Sequence, residues 1–268
     1  MRVLSFKAVA LGSTAIGLAL GLAGPAMADP YLPVSNLTFT DYSGTAPKAK
    51  FSAVDPAGWF RGTPAGNGDL VFIDAPGTAT DNSVYGVYGP FSNPPPGGNF
   101  VQADGNPIYE STFEQSITGL TTGQQYTLSF WQAAGQQQGF SGATTEQWKV
   151  FFGTTGDVTV SCPGGGGDCT ASSADAEYDS TVMDTPSEGS TAWNLVTLTV
   201  TATAATDILT FLAWGNGGST ANEPPTVFLA GVNTPAVPEP ASLSLVGVGL
   251  LGLGRVVQRR RAKRKTAV

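Results

Sequence analysis

Stretches in which every second residue is apolar recur through the middle of the chain. In Tyr126–Trp131 the apolar face carries residues 126, 128 and 130, and in Leu195–Val200 it carries residues 196, 198 and 200. A period of two is typical of a β-strand that packs one face against a core. Trp131 lies opposite the first of these faces, and the pattern leaves open which side is buried. The clearer short apolar runs, whether alternating or continuous, are Leu37–Phe39, Leu70–Ile73, Phe113–Ile117, Tyr126–Trp131, Trp148–Phe152, Leu195–Val200, Ile208–Trp214 and Thr226–Val232.

These runs lie within residues 29–235 and predict an all-β domain. They are bounded by Gly, Pro, Asn and Asp, and neither a long amphipathic helical window nor an internal repeat accompanies them. Strands in this number bury their apolar faces by packing two sheets together. We therefore expect a single β-sandwich, for which a jelly roll is the natural choice.

The first 28 residues have the pattern of a secretory signal peptide. Arg2 and Lys7 precede an apolar run over residues 8–23, and Ala26–Ala28 forms a small-residue cleavage site before Asp29. An N-terminal membrane helix is the alternative, but Gly24 and Pro25 end the run just before the cleavage site. We expect signal peptidase to remove residues 1–28.

The last 33 residues, 236–268, combine three features. Pro238, Glu239 and Pro240 interrupt regular structure ahead of an apolar run over Leu243–Gly254. With its extension past Arg255 the run reaches roughly 15 residues, against the roughly 20 that span a bilayer core, so we expect a short hydrophobic helix that anchors weakly. The cluster that would hold the end of the chain in the cytoplasm is Arg255, Arg259, Arg260, Arg261, Lys263, Arg264 and Lys265. An ordinary C-terminal membrane anchor would look the same.

The order and spacing of these three parts resemble the PEP-CTERM sorting signal of Gram-negative bacteria. The resemblance implies transient residence in the inner membrane, recognition by an exosortase, cleavage near Pro238–Pro240, and delivery to the cell surface or extracellular matrix. It also implies a host that makes extracellular polysaccharide. Many relatives carry Trp-Ala-Met-Met after the tripeptide, whereas this chain has Ala241–Ser244, which suggests a different subgroup.

Charge and histidine content exclude several functions. Nine of the 13 Lys and Arg residues lie in the two ends, which leaves four cations facing 20 Asp and Glu and a net charge near −16 between the basic clusters. Such a chain repels nucleic acid, so no nucleic-acid partner is expected. The sequence has no histidine, which rules out His-dependent catalytic units and His-ligated zinc.

Paired carboxylates are the catalytic chemistry that remains. Jelly-roll glucanases place their acid and nucleophile on one strand, and the nearest match is Glu177–Asp179, which lacks a second Glu in register. Glu110 and Glu114 are four residues apart, a spacing that often arises by chance. We therefore expect no enzyme.

The two cysteines predict a disulfide. Cys162 and Cys169 flank a Gly-rich loop, and an exported protein meets an oxidising compartment. The bond would close a hairpin-like loop and stabilise it by up to about 2 kcal/mol.

Residues 99–233 resemble the galactose-binding-like jelly roll of many PEP-CTERM proteins, which is related to carbohydrate-binding modules. The most telling piece is the turn and strand Gly119–Phe130, and the closing piece is Val227–Val232. Exposed aromatic rings stack on sugars, although most Trp residues of a sandwich fill its core. The aromatic candidates in loops or at strand ends are Trp59, Tyr85, Tyr88, Tyr109, Phe140 and Trp214. Loop residues suited to a structural calcium ion, as in related modules, are Asp69, Asp74, Asp104 and Asn106.

The sequence therefore predicts an exported, non-catalytic surface or matrix protein that associates with extracellular polysaccharide through its jelly roll. The alternative is a structural or adhesive component of the matrix, or biofilm, without a ligand pocket. A glycan-active enzyme is the minor alternative, and it requires two carboxylates at glycosidase distance.

Overall fold

The computed structural model describes residues 29–44, 47–50, 56–62, 70–109, 112–163 and 168–234. The predictions for residues 1–28 and 236–268 lie outside this part of the chain. Its strands are β1 (Lys48–Lys50), β2 (Phe60–Arg61), β3 (Val71–Asp74), β4 (Phe100–Asp104), β5 (Thr112–Thr118), β6 (Gln125–Gln136), β7 (Thr144–Gly153), β8 (Val158–Ser161), β9 (Thr170–Ser173), β10 (Ala176–Asp179), β11 (Met183–Thr185), β12 (Asn194–Thr201), β13 (Thr206–Gly215) and β14 (Pro225–Ala230).

The strands form two packed antiparallel sheets. The first sheet has the order β1-β3-β4-β14-β6-β12, and the second has the order β10-β7-β13-β5-β2, with β11 also paired to β7. From β4 to β7, and again from β12 to β14, each strand lies in the sheet opposite to the strand before it. Strands from the two ends of this segment are neighbours, as in the pairing of β14 with β4 and of β13 with β5. This interleaved order is that of a jelly roll. The all-β jelly-roll prediction is confirmed.

Aromatic side chains fill the space between the sheets. Phe113 stacks on Phe211 at 5.2 Å between ring centroids, and Phe130 and Trp148 meet Phe211 edge-on at 5.3 Å and 5.9 Å. Such arrangements contribute beyond the area they bury. The inward face of β6 is the one that carries Phe130, whereas Trp131 lies half-buried on the outer face.

Each sheet is also covered on its outer face. Over the first sheet, Phe91 from the segment after β3 packs on Phe228 of β14 at 4.4 Å between centroids. Over the second sheet lies a hairpin formed by β8 and β9. The bond between Cys162 and Cys169 closes the loop that connects these two strands, which confirms the predicted disulfide.

The turn between β5 and β6 explains why the Gly119–Phe130 piece has a recognisable sequence. Gly119 and Gly123 adopt φ values of +79° and +81°, where side chains with a Cβ are strained. The backbone N–H of Thr121 donates to the Tyr126 hydroxyl at 3.0 Å, which ties the turn to the strand.

The predicted strand Leu37–Phe39 is wrong. Residues 35–39 form bends and turns, with Asn36 and Phe39 at positive φ. The run is apolar for another reason: the Phe39 ring is fully buried, 5.2 Å from Trp59 between centroids. The other seven predicted runs overlap observed strands.

Among the described residues no helix is both long and apolar enough to cross a membrane. The predicted tail helix is not part of that set.

Candidate functional site

A hollow of about 320 Å³ opens at one edge of the sandwich, where β12 of the first sheet lies near β11 of the second. We call it the edge hollow. It is lined by Gln132, Thr181, Val182, Met183, Asp184, Thr191, Asn194, Leu195 and Val196. Ligand pockets have volumes of about 300–1,000 Å³, and this one lies at the lower end of that range.

Gln132 is the most unusual residue of the edge hollow. It occupies an inward-facing position of β6, in line with Leu128 and Phe130, and is only 1% exposed. Its Nε2 donates to the Thr181 carbonyl at 2.8 Å, whereas its Oε1 has no hydrogen-bond partner among the described residues. A buried polar atom left unsatisfied costs about 1–3 kcal/mol. The oxygen is itself shielded from solvent, so a ligand in the hollow would reach it only after a shift of the lining side chains.

The walls of the edge hollow combine apolar and polar surface. Val182 and Leu195 are 52% and 44% exposed, whereas Met183 and Val196 are buried beneath them. Exposed polar side chains stand beside them on Asp184 and Asn194. Such a surface can hold the apolar C–H face of a ligand while its hydroxyl groups form hydrogen bonds.

A second hollow of about 290 Å³ adjoins the first on the outer face of the second sheet. We call it the face hollow. It is lined by Thr145, Glu146, Gln147, Lys149, Val182, Trp214 and Gly217. Val182 lines both hollows, so its side chain forms the boundary between them.

Lys149 is the cationic residue of the face-hollow lining, and it contacts two carboxylates. Its Nζ lies 5.5 Å from the centroid of the Trp214 ring, pairs with Glu177 and lies 3.5 Å from Asp179 Oδ1. Partial burial raises the pKa of Asp179, and the nearby Lys149 opposes that shift. The ring face of Trp214 is therefore covered by a cation, and the residue is 5% exposed.

Glu146 extends from the face hollow into the core. It is 1% exposed, and the hydroxyls of Thr144 and Thr185 donate to its carboxylate at 2.5 Å and 2.6 Å. Burial raises the pKa of Glu146 to about 7, although both hydroxyls oppose the shift.

The structure divides the aromatic candidates into buried and half-buried residues. Trp59 and Tyr85 are 2% and 3% exposed and pack within the domain, so neither presents a ring face to solvent. Tyr88, Tyr109 and Phe140 are half-buried, and none of them lines either hollow. Of the aromatic candidates, Trp214 alone lines one of the two hollows, in the part of the chain described.

Three of the four proposed calcium ligands are described, and these three do not form one cluster. Asp69 lies outside the described residues, Asp74 Oδ2 is 3.2 Å from Lys48 Nζ, and Asp104 Oδ1 accepts from the backbone N–H of Asn106 at 2.7 Å. Burial raises the pKa of Asp104 to about 7. The described ranges contain no group of three or more His, Cys, Asp or Glu residues able to hold a metal ion.

Sequence reasoning missed Gln132 and Val182. A signal for Gln132 was present, because it is the polar residue that continues the inward series of Tyr126, Leu128 and Phe130. No sequence pattern pointed to Val182, which lies in the connection between β10 and β11. It lines both hollows because β11 pairs with β7 directly after it.

Residues 236–261 match the PEP-CTERM protein-sorting motif. The match includes Pro238–Pro240, the apolar run, Arg255 and Arg259–Arg261, and it ends before Lys263, Arg264 and Lys265. The chain therefore carries a PEP-CTERM sorting signal, which implies export, membrane-anchored transit and processing by an exosortase. No curated protein matches the chain.

Three solved structures are similar to this chain. The enzymatically active domain of tailspike protein 4 of bacteriophage CBA120 is 15% identical, with a TM-score of 0.34 and coverage of 72% of this chain and 21% of that one. This chain thus spans about a fifth of the length of that enzymatically active domain. TmCBM61 in complex with beta-1,4-galactotriose is 15% identical, with a TM-score of 0.32 and coverage of 68% and 91%. A cleaved adhesin domain of Lys-gingipain from Porphyromonas gingivalis is 13% identical, with a TM-score of 0.37 and coverage of 70% and 96%.

Proposed function

We propose that this protein is a non-catalytic component of the cell surface or extracellular matrix of a Gram-negative bacterium, and that its jelly roll binds extracellular polysaccharide. The sorting motif supports export of the protein to the cell surface. The edge hollow supports the binding of polysaccharide. In this proposal residues 29–235 form the binding body, and residues 1–28 and 236–268 serve only in export.

The observation that carries the proposal is Gln132, a buried residue of the edge-hollow lining whose Oε1 has no hydrogen-bond partner among the described residues. In this proposal a small shift of the lining brings that oxygen within reach of a ligand hydroxyl. Sugar hydroxyl groups are hydrogen-bond donors, and pyranose rings also present apolar C–H faces. The exposed side chains of Val182 and Leu195 offer the complementary apolar surface beside that acceptor. A polyhydroxylated ligand therefore satisfies both the polar and the apolar parts of the lining.

The charge arrangement favours binding over catalysis. The carboxylates of Glu177 and Asp179, the nearest match to a glucanase pair, both lie against Lys149. A glycosidase pair must face the sugar from the two sides of the scissile bond, whereas these two carboxylates both contact the same ammonium. This pairing supports a role for both residues in positioning Lys149.

A binding measurement with a matched pair of variants tests the proposal. The full-length chain in detergent micelles is titrated by calorimetry with the extracellular polysaccharide of the bacterium that produces it. Gln132→Leu keeps the size of the side chain but removes the acceptor, and we expect it to weaken binding by about tenfold. Gln125→Leu alters an exposed residue of the same strand and should leave the affinity unchanged.

Two outcomes would argue against the proposal. No retention of the wild-type chain on any glycan would favour a structural or adhesive spacer. Glycan cleavage during the titration, seen as new reducing ends, would favour the enzyme instead.

A further inference from the structure

The two hollows are arranged as neighbouring parts of one cleft. In the β11–β7 pair Met183 lies opposite Glu146 and Asp184 opposite Thr145, which places the start of β11 between the hollows. In the β13–β7 pair Trp214 lies opposite Gln147 on the far side. Val182 immediately precedes β11, lines both hollows and is 52% exposed, so a ligand can pass over it from one hollow to the other.

We propose that a single extended glycan chain without negative charge occupies the edge hollow and the face hollow together, crossing Val182. This inference rests on the proposed function and adds the length and charge class of the ligand. The hollows measure about 320 Å³ and 290 Å³, so each is small for a ligand pocket. A chain that fills both gains a second set of contacts at little additional entropic cost.

The charges around the cleft argue against an anionic ligand. Asp184 lines the edge hollow, and Glu177 and Asp179 flank the Lys149 that reaches the face hollow. Lys149 is the cation among the lining residues of the two hollows, and two carboxylates already balance it. A uronate or sulfate group would therefore meet like charge and find no cation without a partner in the lining. Uncharged and amine-bearing sugars meet no such repulsion.

The test uses one glycan in two charge states. Oligosaccharides from the producing bacterium's extracellular polysaccharide are separated by length, and part of each fraction is carboxyl-reduced so that its uronates become neutral. Calorimetry with the full-length chain in detergent micelles should show roughly tenfold tighter binding of the neutral form at equal length. Raising the salt concentration should narrow that difference, because salt screens charge repulsion.

Length dependence and two variants test the shared cleft. Affinity should rise with chain length until both hollows are filled. Gln147→Leu alters the face hollow and should weaken long chains by roughly tenfold while leaving the shortest bound fraction unaffected, whereas Gln132→Leu should weaken both. Gln125→Leu, outside the cleft, should weaken neither.

The outcomes separate this inference from the function on which it rests. If Gln132→Leu weakens binding but affinity depends on neither length nor charge, the inference is overturned and the proposed function stands. If Gln147→Leu leaves long chains unaffected, the face hollow is not part of the site. If no fraction binds the wild-type chain, the proposed function and the inference fail together.

Discussion

Lys48 Nζ lies 3.2 Å from Asp74 Oδ2 on the outer face of the first sheet, and both side chains are almost completely buried. The β1–β3 register places the two residues opposite each other. The same ammonium donates to Gln102 Oε1 at 2.9 Å and to the Tyr85 carbonyl at 2.5 Å. The buried ammonium of Lys48 thus joins three strands, β1, β3 and β4, to the segment around Tyr85 that covers them.

Removing the cation should be strongly destabilising. Lys48→Met leaves the buried carboxyl of Asp74 without its partner, and breaking such a pair costs about 3–5 kcal/mol in the free energy of unfolding. Burial already raises the pKa of Asp74 to about 7 against the pull of Lys48, so the charged form depends on that partner. Urea unfolding at pH 8 measures the loss.

Two further variants control this experiment. Lys50→Met alters an exposed side chain of the same strand, where the loss of a surface interaction costs about 1 kcal/mol at most, so it should destabilise the fold much less than Lys48→Met. Adding Asp74→Asn to Lys48→Met should recover part of the loss, because the uncompensated charge is gone. A double variant as unstable as the sum of its two single variants would contradict the coupling.

The stability of the fold should fall as the pH rises through neutrality, and Glu146 should account for part of the change. Its pKa of about 7 in the folded state exceeds the ordinary value of 4.5, so the folded state retains a proton that the unfolded state has released. The stabilisation is therefore complete below pH 4.5 and is lost as the pH rises through 7. The full difference amounts to about 3 kcal/mol.

Glu146→Gln tests this pH dependence because it keeps the shape of the side chain and removes its titration. Urea unfolding between pH 5 and 8 should give a flatter profile for the variant than for the wild type. Parallel profiles for the two proteins would mean that Glu146 does not hold its proton in the folded state.

Loss of the disulfide should loosen one hairpin more than the sheets. The bond between Cys162 and Cys169 closes a short loop next to β8 and β9, which cover Phe151 and Leu212 of the second sheet. The double variant Cys162→Ser/Cys169→Ser should lower the free energy of unfolding by up to about 2 kcal/mol. Amide hydrogen exchange should accelerate more in β8 and β9 than in β13.

A variant in the same hairpin controls for a general effect of substitution there. Ser172→Ala alters an exposed residue of β9 and should leave both stability and exchange unchanged. Equal acceleration of exchange throughout β13 would show that the bond stabilises the whole sandwich.

The sorting motif should determine the mass and location of the protein in its host. Replacing Pro238, Glu239 and Pro240 with alanine removes the tripeptide inside the matched region. We expect the variant to retain its tail and accumulate in the inner membrane, as measured by intact mass and fractionation. Thr266→Ala, beyond the matched residues, should behave as wild type. Unchanged mass and surface display of the tripeptide variant would contradict sorting by this motif.

The sequence predicted the strands whose apolar positions alternate, because that pattern reports directly on one buried face. It placed Val196 and Val200 on the core side, as observed. For β6 it left open which face is buried, and the structure buries the face with Tyr126, Leu128 and Phe130. The sequence pattern failed at Leu37–Phe39, where apolar side chains are buried by a turn, and it did not predict β8–β11, which are short and rich in Ser, Thr and Ala.

The candidate site was harder to predict because it depends on contacts that are distant in sequence. The edge hollow forms where residues 181–184 and 191–196 meet Gln132, about fifty residues earlier in the chain. Aromatic character alone did not distinguish buried rings from exposed ones, as Trp59 and Tyr85 illustrate. The pairing of Lys48 with Asp74 likewise depends on strand register rather than on local sequence.

Amide hydrogen exchange with and without the producing bacterium's polysaccharide tests the central claim most directly, because it locates the ligand on the protein. If glycan fills the edge hollow, exchange should slow in residues 181–184 and 191–196 and remain unchanged in residues 79–93, which cover the outer face of the first sheet. Gln132→Leu should reduce that protection. Protection confined to residues 79–93, or none anywhere at saturating polysaccharide, would contradict the account.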